Sequence, residues 1–297
     1  MKLALFGRKT DISNLKKLNS IINRLIANEN VELCFYAPFY EALAESGMAR
    51  CEFPVFNSHE DLPDDTNLFL SLGGDGTFLE SITFIRGRSI PVAGINAGRL
   101  GFLTTAQIDD DNSWIDKLLN GNYKVDERCI LSFESDREDV VPADFYKCAL
   151  NEITLQRRSP VMLEISITVD GRPLPVYIAD GILIGSATGS TAYSLSIGGP
   201  IVTPDSKVLI IAPIAPHNLN VRPIIVPETS VIEISYNTRG DDALLTADNR
   251  FFVYPKGGKI TISRSGSSLL SISINNSFIE ALNQKLLWGE DKRNMLK

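Results

Sequence analysis

Apolar residues in the first hundred positions alternate between two periods. Short continuous apolar runs predict buried strands, and apolar residues three or four apart predict amphipathic helices. The predicted strands are 2–6, 31–36, 68–72 and 90–95, and the predicted helices are 12–26, 38–46 and 77–85. Strands that alternate with helices are typical of an α/β fold, so we expect an open, mostly parallel, Rossmann-like sheet.

The pattern changes after about residue 123. Polar and apolar residues alternate strictly over 163–169, and Asp170-Gly171 is a hairpin turn signal. Further strand patterns run over 231–234, 259–262 and 270–274. We therefore expect an all-β, sandwich-like second half, followed by a helix over 278–287.

These two patterns predict two domains in the chain of 297 residues. We assign residues 1–122 to an α/β domain that binds phosphate groups and residues 123–275 to a β-rich domain. Residues 276–297 are expected to form a C-terminal helix that packs back on the first domain.

Composition narrows the choice of partners. With 29 Lys and Arg against 36 Asp and Glu, the net charge of −7 would repel a nucleic-acid backbone. The four cysteines are scattered and form no metal-binding pair. No apolar stretch approaches the roughly 20 residues of a membrane helix, and none at the N-terminus resembles a signal peptide. We expect a cytoplasmic protein with neither a nucleic-acid nor a membrane partner.

A glycine-rich segment, Gly73-Gly74-Asp75-Gly76-Thr77, lies between a predicted strand and a predicted helix. Glycines let phosphate oxygens reach backbone N–H groups, and a helix N-terminus favours the same negative charge. Opposite phosphates, the Asp75 carboxylate is repelled unless it holds a cation or accepts a proton. The alternative is a tight turn in which Asp75 caps the following helix.

A second loop, 96–103, follows the next predicted strand and is expected at the same edge of the sheet. Its Arg99 offers a bidentate phosphate contact, or else is a solvated arginine. Phe102 is either a core residue or a wall of a ligand cleft.

The densest polar segment follows a strand that is expected to end at Gly185. Six hydroxyl residues and Tyr193 lie within the next eleven positions, and Ser190 is placed to cap a helix. Such a surface suits a nucleoside, whose ring stacks on an aromatic face while hydrogen bonds read its edge. A serine nucleophile with His217 as base and a plain Ser/Thr-rich loop are the alternatives.

Asn151-Glu152 opens another predicted strand. It pairs an amide with a carboxylate, and these groups together can bind vicinal ribose hydroxyls. Taken alone, such a pair is usually a surface feature.

Taken in order, these segments resemble the NAD kinase family over nearly the whole chain. The resemblance is carried by Gly73-Gly74-Asp75-Gly76-Thr77, Asn151-Glu152, Asp180-Gly181 and Thr188-Gly189-Ser190-Thr191-Ala192-Tyr193-Ser194-Leu195-Ser196. Lipid kinases of the diacylglycerol type and phosphofructokinases share the glycine loop, whereas the Thr-Gly-Ser-Thr-Ala-Tyr-Ser segment is specific. The chain departs from the family pattern at two places. Ser186-Ala187 stands where the family often has Thr-Pro, and Ala215 stands where it often has Cys. Both departures concern recognition of the base.

The resemblance implies transfer of the γ-phosphoryl group of ATP to the 2′-hydroxyl of the adenosine ribose of NAD, giving NADP. It implies Asp75 as the general base and a divalent metal, Mg²⁺, that comes with the nucleotide, so no side chain is assigned as a metal ligand. The implied phosphate loop consists of Gly73, Gly74, Gly76, Thr77 and Arg99. The residues implied to bind NAD are Asp75, Gly76, Asn151, Glu152, Asp180, Thr191, Ala192, Tyr193, Ser194, Leu195, Ser196 and, on a weaker match, Asn249 and Arg250.

The first domain would then bind ATP and the second NAD, in a homodimer or homotetramer. Two other hypotheses remain open: a nucleotide sensor on the same fold that lacks catalysis, and a lipid kinase that shares the glycine loop. A turnover assay distinguishes the nucleotide sensor from the NAD kinase. The nucleoside-binding segment and the lack of an amphipathic membrane-docking helix argue against the lipid kinase.

Overall fold

The computed structural model of the chain describes residues 1–8, 12–47, 52–96, 101–108, 112–274 and 278–286. Arg99, the predicted phosphate ligand of the second loop, lies outside these residues. Within the described ranges, no helix is both long enough and apolar enough to cross a membrane.

The helices and strands are numbered in chain order over the described residues. The α-helices, α1 to α6, are Ile12–Ile26, Ala37–Glu45, Asp75–Ile85, Trp114–Leu119, Tyr193–Ser196 and Phe278–Leu286. Short 3-10 helices span Glu138–Val140 and Thr188–Thr191. The strands, β1 to β19, are Lys2–Gly7, Glu32–Tyr36, Val55–Phe56, Leu68–Leu72, Val92–Asn96, Ala106–Gln107, Lys124–Ser135, Cys148–Ala149, Glu152–Gln156, Leu163–Val169, Arg172–Pro173, Tyr177–Ala179, Gly181–Ser186, Val208–Ile214, Ile224–Pro227, Ile232–Asn237, Ala243–Ala247, Arg250–Tyr254 and Lys259–Ser273.

The chain divides into two compact units. The first unit contains Met1–Glu127 together with Leu270–Lys297, and the second contains Arg128–Leu269. Both ends of the chain, including α6, therefore belong to the first unit.

A parallel sheet with the strand order β3-β2-β1-β4-β5 forms the centre of the first unit. The apolar strand residues and the inner face of α1 share one core, in which Leu5, Leu18 and Leu70 are fully buried. The predicted mostly parallel α/β architecture is confirmed. Because β4 and β5 are parallel neighbours, the segments that follow Leu72 and Asn96 start at the same edge of the sheet.

The second unit is built from antiparallel strands. Six of them follow the order β15-β14-β13-β9-β17-β18, and β10 pairs with β11, β12 and β16 in a separate set. Alternate residues of β10, such as Ile165 and Ile167, share one core with Ile182 and Ile184 of β13. The predicted β-rich, sandwich-like half is confirmed.

The predicted hairpin turn is also confirmed. Asp170 and Gly171 both have positive φ, +50° and +74°, and they join β10 to β11. This conformation matches the right-handed twist of the flanking strands, which explains the Asp-Gly pair at this point.

The predicted strands 259–262 and 270–274 are observed as parts of one longer strand, β19. The segment after Gly189 forms a 3-10 turn and the four-residue helix α5. The predicted helix cap at Ser190 is wrong. Ser190 caps neither, because its buried hydroxyl donates to the Val202 carbonyl at 3.0 Å and accepts from the Val202 N–H at 3.1 Å.

Candidate active site

Asp75 is the first residue of α3 and follows β4 by two glycines. Its Oδ2 accepts the Phe102 N–H at 2.9 Å, and its Oδ1 accepts the Leu103 N–H at 3.0 Å. Gly74 is the N-cap residue of α3, and that end of the helix has no side-chain cap. The alternative in which Asp75 merely caps its own helix is therefore wrong. The carboxylate instead joins the two loops at the edge of the sheet.

Gly101 makes this contact possible. A Cβ atom at Gly101 would lie 1.8 Å from Asp75 Oδ1 and 2.7 Å from the Thr104 hydroxyl. The Gly101 N–H also donates to that hydroxyl at 2.8 Å. The loop from 101 to 104 thus places its backbone against the carboxylate at a distance that only glycine permits.

The C-terminal helix reaches the same carboxylate. Lys285 Nζ of α6 lies 3.2 Å from Asp75 Oδ2 and 4.5 Å from the centre of the Phe102 ring. The Phe102 ring also packs near Phe278, with 6.3 Å between the ring centres. Phe102 therefore contacts α6, and sequence reasoning did not foresee the lysine because it lies 210 residues away from Asp75.

The predicted phosphate loop has a second cation beside it. Arg8, immediately after β1, donates from Nε to Glu80 Oε2 at 2.7 Å, and its Nη2 lies 3.5 Å from the Gly76 carbonyl. Gly73 lies tightly against Thr77, because a Cβ atom at Gly73 would come within 2.4 Å of the threonine hydroxyl. Arg8 is not among the residues predicted from the sequence. Its place at the end of β1, a strand that neighbours β4, is the sequence signal that points to it.

In the second unit, Asn151 and Glu152 lie where β9 begins, and both are buried. The Asn151 carbonyl accepts the Ser186 N–H at 2.9 Å. A Cβ atom at Gly189 would lie 2.1 Å from that same carbonyl oxygen. The segment after β13 therefore packs directly on Asn151, and glycine is required at 189 for this approach.

Glu152 is an unusual carboxylate. Burial raises its pKa to about 8, the nearby charge of Asp248 adds to the rise, and a hydrogen bond from the Tyr193 backbone opposes it. Among the described residues, its Oε2 has no hydrogen-bond partner. A buried oxygen without a partner is costly unless a ligand supplies one.

Asp248 holds the Asn151-Glu152 segment in place. Its carboxylate accepts the N–H groups of Leu150 at 2.9 Å, Asn151 at 2.8 Å and Glu152 at 3.3 Å. The side chain is 1% exposed, and burial raises its pKa, although these N–H groups and Arg250 oppose the rise. The family resemblance implies binding roles for Asn249 and Arg250 but not for Asp248. The positive φ of Asp248, +51°, at the turn from β17 to β18 is a conformation that favours Asp over most other residues.

The two residues named beside Asp248 have different surroundings. Asn249 is exposed at the turn. Arg250 donates to the carbonyls of Tyr146 at 2.5 Å and Cys148 at 2.6 Å, and its guanidinium lies 3.7 Å from the Asp248 carboxylate. The Arg250 contacts described here are made to the protein itself.

The hydroxyl-rich segment contributes further buried groups. Thr188 Oγ1 and Ser194 Oγ are buried and, within the part of the chain that is described, have no hydrogen-bond partner. Ser186 is bonded to the protein, because its hydroxyl donates to the Leu150 carbonyl at 2.5 Å and accepts the Gly189 N–H at 3.2 Å. Thr191, Ala192, Tyr193 and Leu195 are half-buried, and Ser196 is exposed.

Asp180 and Glu152 both lie close enough to Tyr193 to influence it. Burial raises the pKa of the Tyr193 hydroxyl, and the charges of Asp180 and Glu152 add to the rise. Asp180 itself pairs with Arg157, from Oδ1 to Nε at 2.9 Å and from Oδ2 to Nη2 at 2.9 Å. The structure thus brings Asn151, Glu152, Asp180 and Tyr193 into one neighbourhood of the second unit.

Searched over the described residues, the chain contains no group of three or more His, Cys, Asp or Glu side chains that could hold a metal ion. The first unit contains a glycine-bounded carboxylate with neighbouring cations, and the second unit contains a polar, partly unsatisfied set of groups. The first suits phosphate chemistry, and the second suits hydrogen bonding to a nucleoside.

A glycine-rich loop between a strand and a helix on an α/β unit, followed by a β-rich unit, suits a nucleotide-dependent phosphotransferase. The model of the ATP-NAD kinase N-terminal domain matches residues 11–123, and that of the ATP-NAD kinase C-terminal domain matches residues 150–277. The chain belongs to the NAD kinase family, and it is an enzyme, a kinase.

Two bacterial NAD kinases are similar to this chain over nearly its whole length. The chain is 38% identical to the NAD kinase of Flavobacterium psychrophilum and 35% identical to that of Christiangramia forsetii. Each match covers 99% of this chain and 100% of the relative.

Two solved structures have the same fold. A yeast NADH kinase complexed with NADH superposes with a TM-score of 0.87 at 24% identity, over 98% of this chain and 88% of that one. An NAD kinase from Archaeoglobus fulgidus in complex with ATP has a TM-score of 0.71 at 27% identity, over 97% of this chain and 99% of that one.

Proposed function

We propose that this enzyme transfers the γ-phosphoryl group of ATP to the 2′-hydroxyl of the adenosine ribose of NAD, with Asp75 as the general base. The observation that carries the proposal is the Asp75 carboxylate at the N-terminus of α3. It is held by two backbone N–H groups from 101–104 and is 30% exposed. A base must be both fixed in place and reachable by the proton that it accepts.

In this mechanism the ribose 2′-oxygen attacks the γ-phosphorus. A new oxygen–phosphorus bond forms, the bond from that phosphorus to the β–γ bridging oxygen breaks, and ADP leaves. The hydroxyl proton passes to the Asp75 carboxylate. Positioning and charge stabilisation supply most of the rate enhancement in such reactions, so the enzyme needs few reacting groups.

The two units divide the binding. The glycine loop Gly73-Gly74-Asp75-Gly76-Thr77 and the N-terminus of α3 favour phosphate, and Arg8 adds positive charge beside Gly76. ATP as donor is supported by the Archaeoglobus fulgidus relative, which was crystallised with ATP. The buried polar groups of Asn151 and Glu152, with Tyr193 beside them, suit the ribose and base of NAD.

A divalent cation, Mg²⁺, is proposed to enter with the nucleotide rather than to reside in the protein. The donor set fits this, because Mg²⁺ with nucleotides needs only one or two carboxylates besides phosphate oxygens, and the described residues contain no larger cluster. When bound, it would neutralise charge on the transferring phosphate. The phosphate oxygens of the nucleotide would hold it, so that Asp75 keeps its role as the base.

We also propose that the enzyme is a homodimer or homotetramer, as the family resemblance suggests. Sedimentation equilibrium over a range of concentrations measures this directly. A monomer at all concentrations would contradict it.

The deciding experiment is a turnover assay with ATP, MgCl₂ and NAD, in which a dehydrogenase specific for NADP detects the product. We expect NADP to form, and we expect EDTA to abolish its formation. Asp75→Asn keeps the shape of the side chain but removes the base, so its kcat should fall by about 10²- to 10⁴-fold. NAD binding, measured by calorimetry, should stay within a few-fold of the wild type.

Donors and acceptors are varied in the same assay. NADH, other triphosphates, polyphosphate and diacylglycerol replace NAD or ATP in turn. Normal turnover by Asp75→Asn would remove the role assigned to this residue. A chain that binds NAD but forms no NADP would instead be a sensor.

A further inference from the structure

The last described helix, α6, places Lys285 against Asp75, the proposed general base. Its ammonium lies 3.2 Å from Asp75 Oδ2 and 4.5 Å from the centre of the Phe102 ring. The lysine side chain is 26% exposed, so the ring and the carboxylate cover most of it. Just before this helix, the Ile274 N–H donates to Thr105 Oγ1 at 2.7 Å, which ties the same segment to the 101–105 loop.

The hydrogen bonds differ between the two carboxylate oxygens. Oδ2 accepts from both the Phe102 N–H and Lys285, whereas Oδ1 accepts only the Leu103 N–H among the described donors. A carboxylate has about four acceptor sites, two on each oxygen. The sites of Oδ2 are filled, and one site of Oδ1 remains.

The Gly101 backbone lies directly against Oδ1. A side chain at Gly101 would collide with that oxygen, since its Cβ atom would lie only 1.8 Å away. Lys285 thus binds one oxygen, while the backbone of residue 101 lies against the other. The two features act on opposite atoms of one carboxylate.

We propose that Lys285 is a positioning residue for phosphoryl transfer, an inference that rests on the proposed function of Asp75. Its ammonium fixes the carboxylate through Oδ2, so that Oδ1 is the atom that takes the proton of the ribose hydroxyl. The lysine acts through Asp75 and makes no contact with the transferred group in this scheme. A partly exposed ion pair of this kind contributes little to stability, so its main effect is on geometry.

The test is a double-mutant cycle in the full-length enzyme. Lys285→Met keeps an apolar stem against Phe102 but removes the ammonium. We expect kcat to fall by about 10- to 100-fold, with the KM values for NAD and ATP within about threefold of the wild type. Lys285→Arg should recover part of the rate because it restores a cation. Gln284→Met, an exposed position next to Lys285 on α6, is the matched control and should retain full activity.

The second arm of the cycle decides how the lysine acts. In the Asp75→Asn background, Lys285→Met should cause no further loss, because there is no base left to position. A further loss of tenfold or more, or a rise in the KM for ATP, would overturn the proposal, since Lys285 would then contact phosphate directly. Full activity of Lys285→Met would also overturn it. If Asp75→Asn itself turns over normally, the proposed function fails instead, so the two failures are distinguishable.

Discussion

Asp75 and Glu152 are both carboxylates at the first residue of an element, but the structure surrounds them in opposite ways. The Asp75 side chain is 30% exposed and contacts two N–H groups and an ammonium. Glu152 is 8% exposed, lies near a second carboxylate, and has one oxygen without a partner among the described residues. The first environment supplies hydrogen-bond donors, and the second opposes a negative charge.

This difference separates two tasks. A general base must be held in place and be reachable by the proton that it accepts, and the Asp75 side chain is hydrogen-bonded and 30% exposed. A group that only binds need not be charged. With a pKa of about 8, Glu152 is largely protonated near pH 7, so it can donate one hydrogen bond and accept others. A neutral carboxyl group therefore suits ribose hydroxyls without repelling phosphates.

The largest expected effect comes from removing Asp248, the buried carboxylate that supports Glu152. Asp248→Ala leaves three backbone N–H groups of 150–152 without their acceptor and Arg250 without its carboxylate. We expect the free energy of unfolding to fall by about 2–5 kcal/mol, because buried unpaired donors and charges are costly. Urea denaturation measures this. The KM for NAD should rise in the same variant, because Asn151 and Glu152 lose their support.

Asp242→Ala is the matched control for Asp248→Ala. Asp242 lies just before the same β17–β18 hairpin and accepts one exposed N–H, that of Lys256, at 3.1 Å. Its loss should cost less than about 1 kcal/mol. Equal losses in the two variants would show that Asp248 has no special role.

Gly101→Ala disturbs the surroundings of the exposed carboxylate, Asp75, and we expect a smaller effect. The new Cβ atom would meet Asp75 Oδ1 at 1.8 Å, and the carboxylate can move away because it is the free end of a side chain. The protein should therefore fold, while kcat falls by about 30- to 100-fold because the base is displaced. Steady-state kinetics measures kcat, and thermal denaturation shows whether the variant folds.

Gly266→Ala provides the comparison for that variant. A Cβ atom there would have no heavy atom within 4 Å, so neither kcat nor the melting temperature should change appreciably. A Gly101→Ala enzyme with normal kcat would mean that the position of Asp75 is not critical.

The sequence predicted these groups to different extents, for physical reasons. The loop after β4 was predictable because a buried apolar strand, three glycines and an amphipathic helix are local signals. The buried β10 pattern and its Asp-Gly turn were local as well. Asp75 was predictable because it stands among glycines, where no bulky neighbour keeps a ligand away from its carboxylate.

The groups that support those residues were not predictable in the same way. Lys285 and Asp248 lie 210 and about 100 residues from the groups they contact, and only the tertiary fold brings them together. The failed Ser190 cap has the same cause, because its hydroxyl bonds to Val202 across the loop instead of to a helix. Arg99 lies outside the described residues, so its proposed phosphate contact stays a prediction.

The last test sharpens the comparison through pH. In the folded protein the pKa of Glu152 is about 8, above its ordinary value of 4.5, because of burial and the charge of Asp248. The unfolded chain therefore releases this proton first. Its contribution to the free energy of unfolding is fully present below about pH 4.5 and is lost as the pH rises to about 8. The steepest slope is about 1.4 kcal/mol per pH unit for one proton.

Glu152→Gln removes that proton from both states. Urea denaturation of the wild type and the variant between pH 5 and about 8.5 should give curves that diverge, with the variant gaining stability relative to the wild type as the pH rises. Parallel curves for Glu152→Gln would mean that Glu152 is already charged in the folded protein, and the two carboxylates would then not differ in the way proposed.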